Sequence, residues 1–358
     1  RSLKDGRGVI DPIDKKQLKE WTVPRGATGE AEDGELVRFE MARSARYGVP
    51  TARIVERLGN PQAQQAISLI AIHAHGIPDV FPQAVLAEAD ADAAKEAELG
   101  RREDLRDIPL VTIDPSDARD HDDAVWAEAD PNPQNRGGWV VIVAIADVAH
   151  YITPASALDK EARKRGNSVY FPDRVVPMLP ERISNDLCSL KEDVSRPCLA
   201  VRMIFDKDGR KLSHRFVRGL MRSAASLSYE QAQAAIDGRT DDVTAPVLDT
   251  VLRPLWGAYG SLVLARTDRG PLDLDLPERK ILLDDKGQVR AVTTPPRLDA
   301  HRLIEEFMIA ANVAAAEALE AKRSPLIYRV HDAPSKEKLV SLGEFLATIG
   351  MKLPRPAR

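Results

Sequence analysis

Between two short apolar runs the sequence packs five aspartates into ten positions, Asp114, Asp117, Asp120, Asp122 and Asp123. The stretch reads Thr112-Ile113-Asp114-Pro115-Ser116-Asp117-Ala118-Arg119-Asp120-His121-Asp122-Asp123-Ala124-Val125. Carboxylates this close disfavour one another's ionisation unless water or a cation relieves them. A fold that carries them must leave the loop in solvent or close it around a metal. Composition alone favours the first, because Asp is a common turn residue and charge runs are usually solvated. Position favours the second: Leu110-Val111-Thr112-Ile113 and Ala124-Val125-Trp126-Ala127 read as strands, so some carboxylates are held over a sheet. Oxygen donors without His or Cys dominance suit Mg²⁺ or Mn²⁺ rather than zinc. Two such ions about 4 Å apart can activate a water and stabilise the leaving oxygen of a phosphodiester. An EF-hand frame begun at Asp114 fails, since it needs Gly where Arg119 stands and Glu where Val125 stands. His121 reads as a loop histidine rather than a ligand.

The chain has 358 residues, room for roughly two or three domains. Hydrophobic residues make up 43% and charged residues 30%, the balance of a globular chain. Cys188 and Cys198 form neither a disulfide framework nor a paired zinc pattern, so a cytoplasmic setting is expected. The longest apolar run, residues 139–146, is far short of the about 20 residues of a membrane helix, and no membrane association is expected. A net charge of −4 argues against a simple nucleic-acid-coating protein. It leaves open a metal-dependent nuclease whose acidic site offsets local basic patches.

Residues 6–10, 35–40 and 52–58 alternate as short strands between turns, which predicts an OB-like β-barrel, whole or partial, over residues 1–85. Helical spacing follows over 61–75 and 83–99, and residues 86–108 read as a helical connector to a body over 109–358. In that body residues 140–148 predict a strand buried on both faces. Runs 199–205 and 212–218 flank Asp206-Lys207-Asp208-Gly209, and runs 280–283 and 289–292 flank Asp284-Asp285-Lys286-Gly287, two hairpin signals. Long helices are predicted over 247–266, 299–322 and 335–349. Hairpins mixed with long helices, without βαβ alternation, predict an α+β fold.

The motif Asp114-x5-Asp120-x-Asp122-Asp123-Ala124 resembles the signature of the RNB family, the ribonuclease II and ribonuclease R exoribonucleases. The likeness continues through Val143-Ala144-Ile145-Ala146-Asp147-Val148, Ser168-Val169-Tyr170-Phe171-Pro172, Pro177-Met178-Leu179-Pro180 and Leu187-Cys188-Ser189-Leu190. It reaches Glu305-Glu306-x-Met308-Ile309-x-Ala311-Asn312 and Arg329-Val330-His331-Asp332, and so covers nearly the whole chain. Asp117-Ala118-Arg119-Asp120 and Arg165-Gly166-Asn167-Ser168-Val169-Tyr170 resemble the ribonuclease R branch. The resemblance implies a cold-shock, OB-like barrel portion ahead of a mixed α/β RNB catalytic domain that is incomplete at its C-terminal end. It implies that Asp114, Asp120, Asp122 and Asp123 are catalytic carboxylates holding Mg²⁺ or Mn²⁺. The implied reaction is hydrolysis of single-stranded RNA from its 3′ end to nucleoside 5′-monophosphates, by a monomer. The residues themselves support only metal-assisted phosphodiester chemistry; polarity comes from the family.

The same resemblance places Tyr170 against a terminal base, and Tyr229 and Glu305 against the nucleotide's sugar and base. Unaided, a Tyr in an apolar stretch is more often core, Tyr229 reads as part of a helix start, and Glu305 as a solvated helix charge. By the same resemblance Leu274 stands where ribonuclease II has a second clamping aromatic, and an aliphatic side chain there packs against a base without a π-face of its own. Arg163-Lys164-Arg165 tracks phosphates or ends a helix in solvent. His73 and His75 fall on different helix faces and read as structural or surface residues, and Cys188 as a packed thiol. Relatives extend on both sides, into further cold-shock sequence before and an Arg-bearing motif and S1 domain after, so the chain alone is expected to degrade RNA poorly. Two rivals remain: a catalytically compromised RNA-binding relative, which would be expected to lose carboxylates that are all present, and a DNA-directed metal nuclease.

Overall fold

The apolar run Trp139–Ala146 forms the middle strand of a seven-stranded mixed sheet. The structure, a computed structural model, describes residues 1, 6–13, 19–42, 51–60, 64–93, 98–271, 276–284 and 287–354. It divides into two compact units, Arg1–Ala311 and Asn312–Arg358.

The N-terminal strands β1 (Gly8–Ile10), β2 (Trp21–Val23), β3 (Leu36–Ala42) and β4 (Thr51–Gly59) form one sheet in the order β1-β2-β4-β3. The three residues of β2 are too few to show alternation, so the sequence pattern misses this strand. Its Trp21 packs on Phe39 of β3 with ring centroids 5.0 Å apart. Helices α1 (Gln64–Ala74) and α2 (Gln83–Ala93) follow.

In the body come β5 (Glu103–Asp104), β6 (Val111–Asp114), β7 (Asp123–Ala129), β8 (Trp139–Ala146), the short helix α3 (Val148–Tyr151) and α4 (Ala157–Arg165). A small hairpin, β9 (Val169–Tyr170) and β10 (Val175–Val176), precedes the long pair β11 (Ser195–Phe205) and β12 (Lys211–Arg222). Then come β13 (Ala225–Ser228), α5 (Tyr229–Ile236), α6 (Arg253–Arg269), β14 (Lys280–Leu283), β15 (Val289–Thr293), α7 (Asp299–Ala321) and α8 (Lys336–Thr348). The main sheet runs β13-β6-β7-β8-β11-β12-β5. The hairpins predicted around Asp206 and Asp284 are both present, although Asp285 and Lys286 lie outside the described residues.

Both faces of the sheet are covered, as the unbroken apolar run of β8 predicts. On one face Ala124, Ile142, Ala144 and Ala146 pack with Leu158 of α4, Val85 and Ala89 of α2, and Ile183, Leu187 and Leu190. On the other, α6 lies across β7 and β8, where Val125, Ala127, Val141 and Val143 are fully buried. The helix predicted over 247–266 starts later, at Arg253, because Pro254 in its first turn has no N–H to donate and cannot extend a regular helix backwards. Residues Leu248–Leu252 take a wider turn instead.

Close packing of α6 on β8 requires Gly257, where an added Cβ would lie 2.4 Å from Cη2 of the Trp139 indole. Three residues on, a Cβ at Gly260 meets nothing within 4 Å. Gly257→Ala is therefore expected to destabilise the protein by about 1–3 kcal/mol through overpacking. Gly260→Ala, on the same helix, should be neutral or stabilise by up to about 1 kcal/mol. Urea unfolding of the pair checks both.

Candidate active site

Strands β6, β8 and β13 end at the same edge of the main sheet, and β7 begins there. Asp123 pairs with Ile145 near the end of β8, and Ser228 at the end of β13 pairs with Asp114 at the end of β6. Three of the four candidate carboxylates thus meet at one sheet end: Asp114 closes β6, Asp122 precedes β7, and Asp123 opens it. The loop between them is pinned by its backbone. The Ala146 amide donates to the Asp122 carbonyl at 2.9 Å, and the Leu190 amide to the His121 carbonyl at 2.7 Å. The His121 amide donates to Ser189 Oγ at 3.2 Å. Ser116, Asp117, Arg119 and Asp122 match the solvated reading, being exposed; Asp114 is buried.

The electrostatics follow from that enclosure. Asp114 Oδ2 lies 2.7 Å from His121 Nδ1. That hydrogen bond, more than any other influence, raises the His121 pKa. The histidine is thus a partner of the carboxylate cluster and not a free loop residue. Asp123 is pushed up to about 7, first by burial and then by the charges of Asp114 and Asp122. Its Oδ2 is buried with no hydrogen-bond partner among the described residues. Asp122 is exposed, yet the protein packed around it removes enough hydration to raise its carboxyl, and Asp120 and Asp114 add to the effect.

Two aromatic side chains join this edge. Tyr229 opens α5 behind a capping box formed by Ser228 and Gln231, so the helix-start reading of its surroundings is correct as well. Its phenol is pushed up to about 12 by burial and then by Asp123, Asp114 and Asp122, and its ring stacks on His301 at 4.0 Å. Tyr170 is 67% exposed, which removes it from the core. Its phenol is raised by burial and by the nearby charges of Asp120 and Asp122. Val175 stands directly opposite it in the β9–β10 pair and is also exposed, so the two share one outward face.

Glu305 pairs with Arg297, and more distantly with Arg266 at 3.7 Å, rather than with the aspartates. Its link to the site is through α7, where it stands one turn after His301. Leu274 lies outside the described residues. Arg165 is no phosphate tracker: its side chain is 2% exposed and bound to Glu161. Lys164, Arg163, His73 and His75 are at the surface. Cys188 is buried and its thiol pushed up to about 12, an inert packed group. The sequence reading missed His301, Arg297 and Val175. The i, i+4 spacing of His301 and Glu305 and the alternation across the β9–β10 turn are the signals that could have found two of them.

Residues 102–356 match the RNB domain, and residues 10–82 match a cold shock domain. The chain belongs to the RNB family. It is 39% identical over 355 residues to ribonuclease R of Escherichia coli, covering 98% of this chain and 43% of that protein. With ribonuclease R of Aquifex aeolicus it shares 35% over 358 residues, covering 99% and 50%. Its fold is similar to that of Mycoplasma genitalium RNase R in complex with ribose-methylated single-stranded RNA, with a TM-score of 0.84, 26% identity, and coverage of 98% and 56%. The chain is thus homologous to an exoribonuclease and spans about half the length of these relatives.

Members of this family use a divalent metal. The donors here fit a hard cation in kind, since they are carboxylates and one buried carboxylate oxygen has no donor. Among the described residues no three ligating side chains already converge on one point.

The raised Asp123 pKa has a defined consequence for the metal-free protein. Between the ordinary carboxylate value and about 7 the folded state holds a proton that the unfolded state has lost, so the penalty for Asp123 grows with pH across that window. The stability advantage of Asp123→Asn over the parent should therefore widen from about pH 4 to about pH 7 and level off above. Thermal melts in a chelating buffer check this.

Proposed function

We propose that this chain carries the catalytic carboxylates of a hydrolytic 3′-to-5′ exoribonuclease that degrades single-stranded RNA to nucleoside 5′-monophosphates. The observation that carries the reading is the half-buried Asp123 carboxylate at the sheet end, whose Oδ2 is buried with no partner among the described residues and whose proton affinity is raised by burial and then by its neighbours. A group in that state is suited to a cation. In this reading Asp114, Asp120, Asp122 and Asp123 hold Mg²⁺ or Mn²⁺, which when bound supplies charge neutralisation at the phosphate and a more acidic water.

The chain's other residues then bind and orient. The outward face of Tyr170 and Val175 offers a stacking surface that accepts any base, a contact worth about 1–3 kcal/mol. Tyr229 keeps its phenolic proton at neutral pH and so can donate to a sugar oxygen. Its stack on His301 fixes the ring's plane. Glu305, held by Arg297, can accept from a 2′-hydroxyl, the group that separates RNA from DNA. Leu274 takes the place of a second aromatic with an aliphatic surface against the base.

Asp122→Asn in the intact protein is expected to abolish RNA degradation while leaving RNA affinity nearly unchanged. Electrophoresis of a 3′-ended single-stranded RNA beside a binding titration checks it, and retained degradation overturns the assignment. Mg²⁺ is also expected to raise the melting temperature of the parent by more than that of Asp123→Asn, because a ligand stabilises only the state that holds it.

A further inference from the structure

The β9–β10 hairpin that presents Tyr170 has two residues in each strand. A two-stranded hairpin is marginal even at ordinary length, so this one takes its position from outside. At its turn, where the Phe171 amide donates to the Arg174 carbonyl at 2.8 Å, Asp173 accepts a 2.5 Å hydrogen bond from Ser68 Oγ. Ser68 lies on α1, inside the stretch that matches a cold shock domain, and is 5% exposed. The Asp173 side chain is 10% exposed, and its second oxygen accepts from Arg174 Nε at 3.0 Å.

The hairpin's base is tied in the same direction. The Met178 amide donates to Ser168 Oγ at 2.9 Å, closing the base. Beside it the Arg165 guanidinium donates to the carbonyls of Pro177 at 3.1 Å and Val80 at 2.9 Å, and lies 3.6 Å over the Phe81 ring. Val80 and Phe81 belong to the segment that leaves the cold-shock module. Turn and base of the hairpin are therefore both fastened to the N-terminal module, the turn by a bond between two little-exposed side chains and the base by a guanidinium that reaches an exposed carbonyl, both of them charge-assisted, the stronger class of hydrogen bond.

We propose that the cold-shock module positions the Tyr170 stacking face, with Ser68 acting through Asp173 as a positioning residue for RNA binding. The module then contributes to affinity for the terminal nucleotide without touching it. This rests on the reading that Tyr170 stacks on a base, and the test separates the two.

Ser68→Ala removes the donor and retains a strong helix former. In the full-length protein it is expected to weaken binding of a short single-stranded RNA about threefold to tenfold, as loss of a hydrogen bond to a charged group does when part of it reaches the bound state. The rate at saturating RNA should stay at the parent's value, and the melting temperature should fall only modestly, because Asp173 keeps its pairing with Arg174. Combined with Tyr170→Ala, Ser68→Ala should cost no further affinity, because the face it positions is gone. Asp173→Asn, which keeps one acceptor oxygen, should retain most of the affinity that Asp173→Ala loses. Equal losses from Ser68→Ala in both backgrounds would mean a direct or general role and overturn the proposal. So would a neutral Ser68→Ala beside a weakened Tyr170→Ala, with the stacking reading intact. A Tyr170→Ala protein that binds RNA like the parent overturns the stacking reading and this proposal together.

Discussion

Removing a carboxylate from water without giving it a donor costs several kcal/mol, and the usual escapes are a proton or a cation. Asp123 is under that constraint, since one oxygen is buried without a partner and the neighbouring Asp114 and Asp122 oppose its charge. It cannot relieve itself by moving, because it is the first residue of β7 and is locked in register with Ile145. The strand it opens is held by Val125 and Ala127, which are fully buried against α6. Core packing thus keeps a costly group in place, and the cost is what makes the sheet end receptive to positive charge.

The parts of this arrangement that the sequence reveals are those written in local pattern. The apolar run over β8 announces a strand buried on both faces, and Pro115 with five nearby aspartates announces a charged loop between strands. The pattern does not report which strands become neighbours. The parallel pairing of β13 with β6 brings Ser228 opposite Asp114 and so delivers Tyr229 to the carboxylates from more than a hundred positions away along the chain. The stack of Tyr229 on His301 also joins segments far apart along the chain. The resemblance to a family suggested the roles proposed for Tyr229 and Glu305, which no local signal could; it did not single out His301, which only its i, i+4 spacing from Glu305 marks, or Arg297, which nothing local marks.

Charge runs illustrate the same limit. Arg163-Lys164-Arg165 looks uniform in sequence, yet its members differ: Lys164 is exposed and meets Glu161 only at 3.7 Å, while the Arg165 side chain is buried, bonded to Glu161 at 2.9 Å and to the distant carbonyls of Pro177 and Val80. A guanidinium can do this because its planar fork reaches several acceptors at once, and its face can lie on an aromatic ring, here Phe81.

Arginines serve the carboxylate end in a similar way from behind. Arg196 donates to the carbonyls of Ser189 and Asp186, in the segment whose Ser189 hydroxyl and Leu190 amide pin the loop at His121. Arg102 donates to Asp147, which directly follows the Ala146 amide that holds the Asp122 carbonyl. These cations face protein carbonyls and carboxylates, so they fix the backbone that presents the aspartates instead of neutralising the aspartates themselves. Had they pointed into the cluster, Asp123 would have an internal counter-ion and no unmet demand for charge. The placement of positive charge one layer back is therefore what keeps the sheet end both rigid and electrostatically unsatisfied.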